Sequence, residues 1–207
     1  RDTDFLQKNG FSNETVFAMF LPNTYQVYWN ISAEKFRDKM LEEYNKFWNK
    51  DRIAKATALN LTPVQVITLA SIVQKESAKK SERPTVAGVY LNRLAKEMPL
   101  QADPTVIYAI KETTGDFDQV IKRVGGSNLF VKSPYNTYIN KGLPPGPIAM
   151  PDISAIDAVL NAEKHDYIYF CADPNRPGYH AFETTYEAHM VNARKYAEWV
   201  NKLGIKL

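Results

Sequence analysis

The stretch LASIVQKESAKKSERPTVAGVYLNRL, residues Leu69 to Leu94, decides the fold. Apolar residues recur there, and just before it, at helical spacing: Val66, Leu69, Ile72 and Val73. Glu76 is the next step of that series, so a carboxyl group is expected on the apolar face of an amphipathic helix. Thr62, Pro63 and Gln65 form a helix start with a capping box, which fixes the phase of this face. The pattern predicts a helix from Pro63 to about Lys79 or Lys80.

The position of Glu76 has two interpretations. Burial disfavours the ionised form of a carboxyl group and raises its pKa, which suits a general acid working near neutral pH. Alternatively, Glu76 pairs with Lys79 or Lys80 at a solvated helix edge. Spacing alone leaves both open.

Composition excludes several classes of protein. With 207 residues, 44% of them hydrophobic, the chain can build a folded core. A net charge of +3 with scattered basic residues gives no nucleic-acid motif. Cys171 is the lone cysteine, which excludes an intrachain disulfide, and three histidines without metal-ligand spacing argue against a metal site. No apolar run in the sequence approaches the roughly 20 residues of a spanning helix.

The remaining pattern predicts an α+β fold, mainly helical, with a small antiparallel β-hairpin and a long cleft-forming loop. Helices are expected over 32–48, 85–96, 154–163 and 185–203, and another starts at Asp103-Pro104 with Asp103 as its cap. Strands are expected over 167–172 and 179–183. The loop covers residues 125–151, and such long loops in compact domains are usually functional.

Five blocks of this sequence resemble one known family. They are LASIVQKES, VAGVYLNRL, LQADPTVIYAI, YNTYINKGLPPGPI, and IYFCAD followed by HAF. In this order they closely resemble the endolytic murein transglycosylase family, also called YceG-like or MltG. The resemblance implies cleavage of the bond between N-acetylmuramic acid (MurNAc) and N-acetylglucosamine (GlcNAc) in peptidoglycan, without water. It makes Glu76 the single catalytic acid and base, leaves 1,6-anhydroMurNAc ends and implies no cofactor.

The same resemblance and the local chemistry give candidate substrate-binding residues: Ser77, Asn92, Gln101, Tyr135, Asn136, Thr137 and His180. Amide and hydroxyl side chains suit the acetamido and hydroxyl groups of a sugar. Each also has a structural interpretation. Asn136 and Thr137 can satisfy loop backbone groups, Asn92 can bond a neighbouring loop, and Ser77 can bond the adjacent acid.

Two positions bear on the mechanism. Where the family often has glutamate, this chain has Gln74, which lies about 160° around the helix from Glu76 and should face elsewhere. Asp103 is a candidate second carboxylate, as is Asp173. Either would support a lysozyme-like muramidase that hydrolyses the bond. A non-catalytic glycan-binding module is a further candidate function. A pyridoxal-phosphate lyase is disfavoured, because the sequence has no phosphate-binding glycine-rich loop and no evident Schiff-base lysine.

The resemblance also sets expectations about organisation and location. Residues 1–60 are expected to form an N-terminal helical lobe and residues 61–207 the catalytic core. Full-length members carry a membrane anchor and a small LysM-like region upstream. We therefore expect a single-pass anchor in the inner membrane with the catalytic domain facing the periplasm and cell wall. Expected partners are peptidoglycan strands and the synthases that polymerise them, the penicillin-binding proteins, but no nucleic acid.

Overall fold

A computed structural model describes residues 2–121 and 124–202. The α-helices are α1 Thr3–Lys8, α2 Ala33–Phe47, α3 Lys50–Ala58, α4 Pro63–Glu76, α5 Arg83–Ala95, α6 Asp103–Thr114, α7 Ile153–Leu160 and α8 Tyr186–Lys202. Short 3₁₀ helices cover Val16–Met19 and Gly126–Phe130, and the strands are β1 Tyr169–Ala172 and β2 His180–Glu183. The mainly helical α+β fold is thereby confirmed.

Helix α4 is the centre of the core. The Thr62 side chain accepts from the Gln65 backbone N–H, and the Gln65 side chain accepts from the Thr62 N–H, so the predicted capping box is present. Residues 66–73 are all buried. Helices α3, α5, α6 and α7 pack around α4. A helix that is buried on nearly every side is held by packing, and its end is a rigid place for a functional side chain.

The hairpin follows the predicted order. Strands β1 and β2 pair antiparallel, with Phe170 opposite Phe182 and Ala172 opposite His180. Helix α8 packs on both strands. The predicted end of α8 at residue 203 lies outside the described residues. Phe170 and Phe182 pack against the main core, so the hairpin is fixed to the helical part by apolar contacts.

The N-terminal region joins the same hydrophobic core. Phe11, Tyr44 and Trp48 form an aromatic cluster, with ring centroids 5.3 Å apart for Phe11 and Tyr44 and 6.3 Å for Tyr44 and Trp48. Their side chains belong to one continuous cluster with the residues of α4. The predicted boundary near residue 60 therefore falls within one packed core, and the division into a lobe and a catalytic core stays a prediction.

Two local predictions need correction, and one helix was missed. Helix α4 ends at Glu76 because Ser77 adopts an extended conformation, whereas the lysine spacing predicted three or four more residues. Helix α6 begins one residue earlier than expected: Ala102 is its N-cap and Asp103 its first residue, so the Asp103 side chain does not cap. Helix α3 was not predicted, because it is mostly polar and buries only Ala56.

Within residues 2–121 and 124–202, no single helix has the length and apolar character needed to cross a membrane. The bent pair α3 and α4 meets those criteria together, by length and composition only.

Candidate active site

A cavity of about 280 Å³ opens at the C-terminal end of α4. It is lined by Glu76, Arg93, Gln101, Asp103, Tyr138, Phe170, Cys171, Ala172 and His180. These residues come from α4, α5, the start of α6, the long loop and both strands. A larger groove of about 640 Å³ lies at the other end of α4, but none of its lining residues is ionisable. Of these two, only the smaller cavity offers ionisable side chains for acid–base chemistry.

Glu76 is the last residue of α4 and faces this cavity. Its Oε1 accepts a 2.7 Å hydrogen bond from the Tyr90 hydroxyl. The residue keeps some solvent contact through the cavity, but its carboxyl group is surrounded by protein. Burial raises the Glu76 pKa from 4.5 to about 7, with a smaller rise from Asp103, while the Tyr90 hydrogen bond and Arg93 lower it. No ion pair joins Glu76 to Lys79 or Lys80 in the described part of the chain, so the helix-edge interpretation is wrong.

A second carboxylate, Asp103, lines the same cavity. The Tyr138 hydroxyl donates a 2.6 Å hydrogen bond to Asp103 Oδ1. Burial and this carboxylate raise the pKa of Tyr138, so the phenol remains a donor at neutral pH. Asp173 is not in the cavity wall; its side chain accepts from Arg176 and Asn175 in the hairpin turn. Of the two predicted second carboxylates, only Asp103 accompanies Glu76.

Arg93 brings a positive charge to the cavity wall. Its Nε donates to the Ile168 carbonyl at 2.7 Å and its Nη1 to the Leu100 carbonyl at 2.7 Å. These bonds tie α5 to the segment before β1 and to the segment before α6. Burial lowers the Arg93 pKa from its ordinary value, but guanidinium stays charged at neutral pH. Arg93 thus fixes two cavity walls and keeps a cation near the carboxylates.

Two predicted substrate-binding residues, Gln101 and His180, line the cavity with Glu76. Gln101 adopts a left-handed backbone conformation with φ 48°, uncommon for a residue other than glycine. Its N–H donates to the Thr137 carbonyl at 3.1 Å, which holds that turn. His180 is bound to the buried carboxylate of Glu82. Substrate contact by Gln101 and His180 stays a prediction.

The structure places the other five predicted contacts outside the cavity wall. For Ser77, Asn92, Asn136 and Thr137 the reason is shared: each polar side-chain group already bonds a protein group. The Ser77 hydroxyl donates to Glu82 rather than Glu76, and the Asn92 amide donates to the His165 and Tyr167 carbonyls. The Tyr135 ring is buried and packs against the Tyr108 ring, with ring centroids 4.6 Å apart.

The loop residues Asn136 and Thr137 are fully buried supports. The Asn136 amide donates to the Leu129 and Val131 carbonyls, and Thr137 Oγ1 accepts from the Ala102 N–H at 3.1 Å. We correct their predicted role accordingly: they hold the loop so that the next residue, Tyr138, lines the cavity. Gly142 to Pro145 of the same loop line the larger groove instead.

Sequence reasoning missed Tyr90, Arg93, Tyr138 and Glu82. For two of these a signal existed, because Val86, Tyr90 and Arg93 are spaced by four and three residues and form one buried stripe of α5. Applying to α5 the criterion used for Glu76 would have selected Tyr90 and Arg93. Tyr138 and Glu82 carry no comparable local signal.

The back of α4 is held by a separate polar network. Gln74 Oε1 accepts from the Asp152 N–H at 2.7 Å, so Gln74 faces away from the cavity as predicted. Arg83 donates from Nε to the Ser77 carbonyl at 3.1 Å and from Nη1 to the Asp152 carboxylate at 3.1 Å. The end of the helix that carries Glu76 is thus fixed on two sides.

Among residues 2–121 and 124–202, no group of three or more His, Cys, Asp or Glu side chains is placed to hold a metal ion.

Comparisons with known proteins agree with this architecture. A model of the YceG-like family matches residues 2–195. An endolytic murein transglycosylase of Bacillus subtilis (strain 168) is 41% identical over 138 residues, covering 67% of this chain and 36% of that protein. One from Streptococcus pneumoniae serotype 2 is 36% identical over 154 residues, covering 73% of this chain and 27% of that protein.

The fold matches a solved structure as well. The crystal structure of a yceG-like protein from Listeria monocytogenes superimposes with a TM-score of 0.70 and 36% sequence identity. That match covers 84% of this chain and 54% of the other. The chain spans about a third of the length of the curated relatives it matches. Since the family model matches nearly the whole chain, the chain belongs to the YceG-like family.

Proposed function

We propose that this chain carries the catalytic site of an endolytic peptidoglycan lytic transglycosylase, a lyase that cleaves the MurNAc–GlcNAc bond without water. One observation carries the proposal: Glu76 lies in a cavity, bonded to Tyr90, with a pKa raised to about 7 by burial. A general acid is most effective when its pKa lies near the working pH. The names of the relatives from Bacillus subtilis and Streptococcus pneumoniae support the substrate class.

Glu76 serves twice in this reaction. Its protonated carboxyl donates a proton to the glycosidic oxygen, and the bond between MurNAc C1 and that oxygen breaks. The GlcNAc side leaves with a hydroxyl group. The Glu76 carboxylate then takes the proton of the MurNAc C6 hydroxyl, whose oxygen bonds to C1. The products are a 1,6-anhydroMurNAc end and a regenerated acid, so water is not consumed.

The surroundings of Glu76 suit both halves of the cycle. Burial favours the protonated acid before bond cleavage. The Tyr90 hydroxyl and the nearby Arg93 charge lower the pKa and stabilise the carboxylate that follows. A non-catalytic glycan-binding module would have no need of a carboxyl group with a pKa raised in this way, and an ordinary pKa would have favoured such a module.

A second candidate, a lysozyme-like muramidase, is favoured by one observation. Asp103 places another carboxylate in the cavity with Glu76. Retaining and inverting glycosidases both use two carboxyl groups, one as acid and one as nucleophile or base. In that case Asp103 would be essential and the new sugar end would be reducing.

Mass spectrometry of digested glycan strands separates these functions. Purified peptidoglycan strands are incubated with the parent chain, with Glu76→Gln and with Asp103→Asn. The proposal expects internal fragments with anhydromuramyl ends from the parent, none from Glu76→Gln, and the same type of end from Asp103→Asn. Reducing ends that vanish with Asp103→Asn would establish the muramidase, and absence of cleavage by every chain would overturn both.

For location and partners, we propose a membrane-anchored protein whose catalytic domain faces the cell wall and which acts beside peptidoglycan synthases. The proposed substrate supports this, because glycan strands are made and remodelled outside the inner membrane. Fractionation of cells that carry the complete protein, with protease treatment of spheroplasts, tests the location. Recovery of the protein in the cytosolic fraction would contradict it.

A further inference from the structure

The carboxylate of Glu82 is buried and has three hydrogen-bond partners. It is 6% exposed. Oε1 accepts the His180 backbone N–H at 2.8 Å, while Oε2 lies 2.7 Å from His180 Nδ1 and accepts the Ser77 hydroxyl at 3.1 Å. A buried carboxylate is costly unless it is paired and hydrogen-bonded, so this arrangement is strongly specified. It joins the residue after Glu76, the start of α5 and the strand β2.

These contacts favour one tautomer of His180. Oε1 of Glu82 accepts the His180 backbone N–H and Oε2 accepts the Ser77 hydroxyl, so both oxygens already act as acceptors. We therefore assign the imidazole proton to Nδ1, which donates to Oε2, and in this tautomer Nε2 keeps a free lone pair. In the described part of the chain Nε2 has no hydrogen-bond partner, and it is not among the buried atoms that lack one. Nε2 is thus accessible.

The ring itself is held against the cavity. His180 packs edge-on to Phe170, with centroids 5.2 Å apart, and both residues line the cavity beside Glu76. The bond from the His180 backbone to Glu82 would suffice to tie the hairpin to α5. The additional contact with Nδ1 orients the imidazole ring, and the strand does not need this contact to stay in place.

We propose that Glu82 is a positioning residue that holds His180 so that Nε2 accepts a hydrogen bond from the bound amino sugar. The donor would be a sugar hydroxyl or the acetamido N–H. This inference rests on the proposed function, since it takes a glycan as the ligand. It assigns Glu82 a role that no local sequence signal indicates, and it gives His180 a defined tautomer and a defined atom of contact.

Nitrogen-15 NMR of the histidine rings tests the contact without turnover. The Glu76→Gln variant is titrated with a GlcNAc–MurNAc tetrasaccharide, and His180→Gln identifies the His180 signals among those of His165 and His189. We expect the tautomer with Nδ1 protonated and a shift of the Nε2 signal on binding. A ring with Nε2 protonated, or an Nε2 signal unmoved by bound sugar, would overturn the proposal.

Kinetics test the positioning role. We expect Glu82→Gln to lower kcat/KM by about tenfold or more, the scale of a lost charge-assisted hydrogen bond. In a His180→Gln background the same change should cost little more, because both act through one ring. Glu163→Gln is the matched control: Glu163 accepts a 2.6 Å hydrogen bond from Thr85 near the start of α5, outside the cavity.

Additive losses from Glu82→Gln and His180→Gln would overturn the positioning role, as would an unchanged kcat/KM in Glu82→Gln. Thermal unfolding of each variant, with assays well below the transition, separates loss of fold from loss of activity. If the parent cleaves no strand while Nε2 still responds to sugar, the proposed lyase fails and the contact stands. The two failures are therefore distinguishable.

Discussion

The hydroxyl of Tyr90 donates a 2.7 Å hydrogen bond to Oε1 of Glu76, joining the middle of α5 to the last residue of α4. Tyr90 is 1% exposed, so this bond lies in the core while the rest of the Glu76 carboxyl group faces the cavity. Burial and the Tyr90 bond act in opposite directions on the Glu76 pKa, and burial prevails. The balance between them sets the pH range in which Glu76 is an acid.

Removing the Tyr90 hydroxyl should move the pH profile of kcat/KM to higher pH. In Tyr90→Phe the bond that lowers the Glu76 pKa is lost, so that pKa rises further above about 7. Because the proposed reaction needs protonated Glu76, the fall in kcat/KM on the alkaline side should shift to higher pH. Assays from pH 5 to 9 measure it. Tyr25→Phe, which removes a hydroxyl bonded to the Leu21 carbonyl, is the control. In this variant the alkaline fall in kcat/KM should stay at the same pH as in the parent.

The stability of the protein should also report the Glu76 pKa. The folded-state pKa of Glu76 is raised from 4.5 to about 7. The protonated Glu76 carboxyl group therefore contributes fully to the free energy of unfolding below pH 4.5, and this contribution is lost as pH rises through about 7. Glu76→Gln removes this dependence. Relative to the parent, the variant should gain about 2–3 kcal/mol between pH 4.5 and pH 8, allowing for partial solvent contact. Urea unfolding at both pH values measures the gain; an equal difference at both would contradict the raised pKa.

Substitution of Arg83 should lower the free energy of unfolding more than substitution of most other charged residues. Its side chain is 6% exposed and bonds both the Ser77 carbonyl and the Asp152 carboxylate. Arg83→Met leaves Asp152 without its cation and frees the turn after Glu76, so we expect a loss of about 2–4 kcal/mol in the free energy of unfolding. The more exposed pair Arg52–Asp157 gives the control, and Arg52→Met should cost less than about 1 kcal/mol through the lost ion pair. Equal losses would contradict the assigned role.

Gly88 should tolerate no side chain, although it lies inside a helix where alanine is normally favoured. A Cβ there would lie 2.5 Å from the Glu163 carbonyl oxygen and 2.5 Å from His165 Nε2. We expect Gly88→Ala to destabilise the fold by about 1–3 kcal/mol, since overpacking outweighs the gain in helix propensity. Thermal unfolding measures it. Gly125→Ala, with extended backbone and open space, should be close to neutral.

The sequence predicted the elements whose signals are local. The capping box of Thr62 and Gln65 and the order of the two strands are both present. Lysines after Glu76 suggested a longer helix, but the turn from Ser77 to Glu82 has its own bonds and ends α4 earlier. Helix α3 has a weak apolar pattern, and its cap at Asn49 was the only strong local cue.

By itself, the sequence determined that Glu76 lies on the apolar face of a capped helix, because periodicity and capping are properties of neighbouring residues. Only the tertiary structure decided which polar groups meet that carboxyl group. Tyr90, Arg93, Asp103 and His180 come from separate segments and converge because α5, α6 and the hairpin pack around the end of α4. Asn136 and Thr137 had the chemistry of sugar ligands, yet the buried loop bonds both side chains to its own neighbourhood. A buried polar group must find a partner, and packing decides whether that partner is the protein or the substrate.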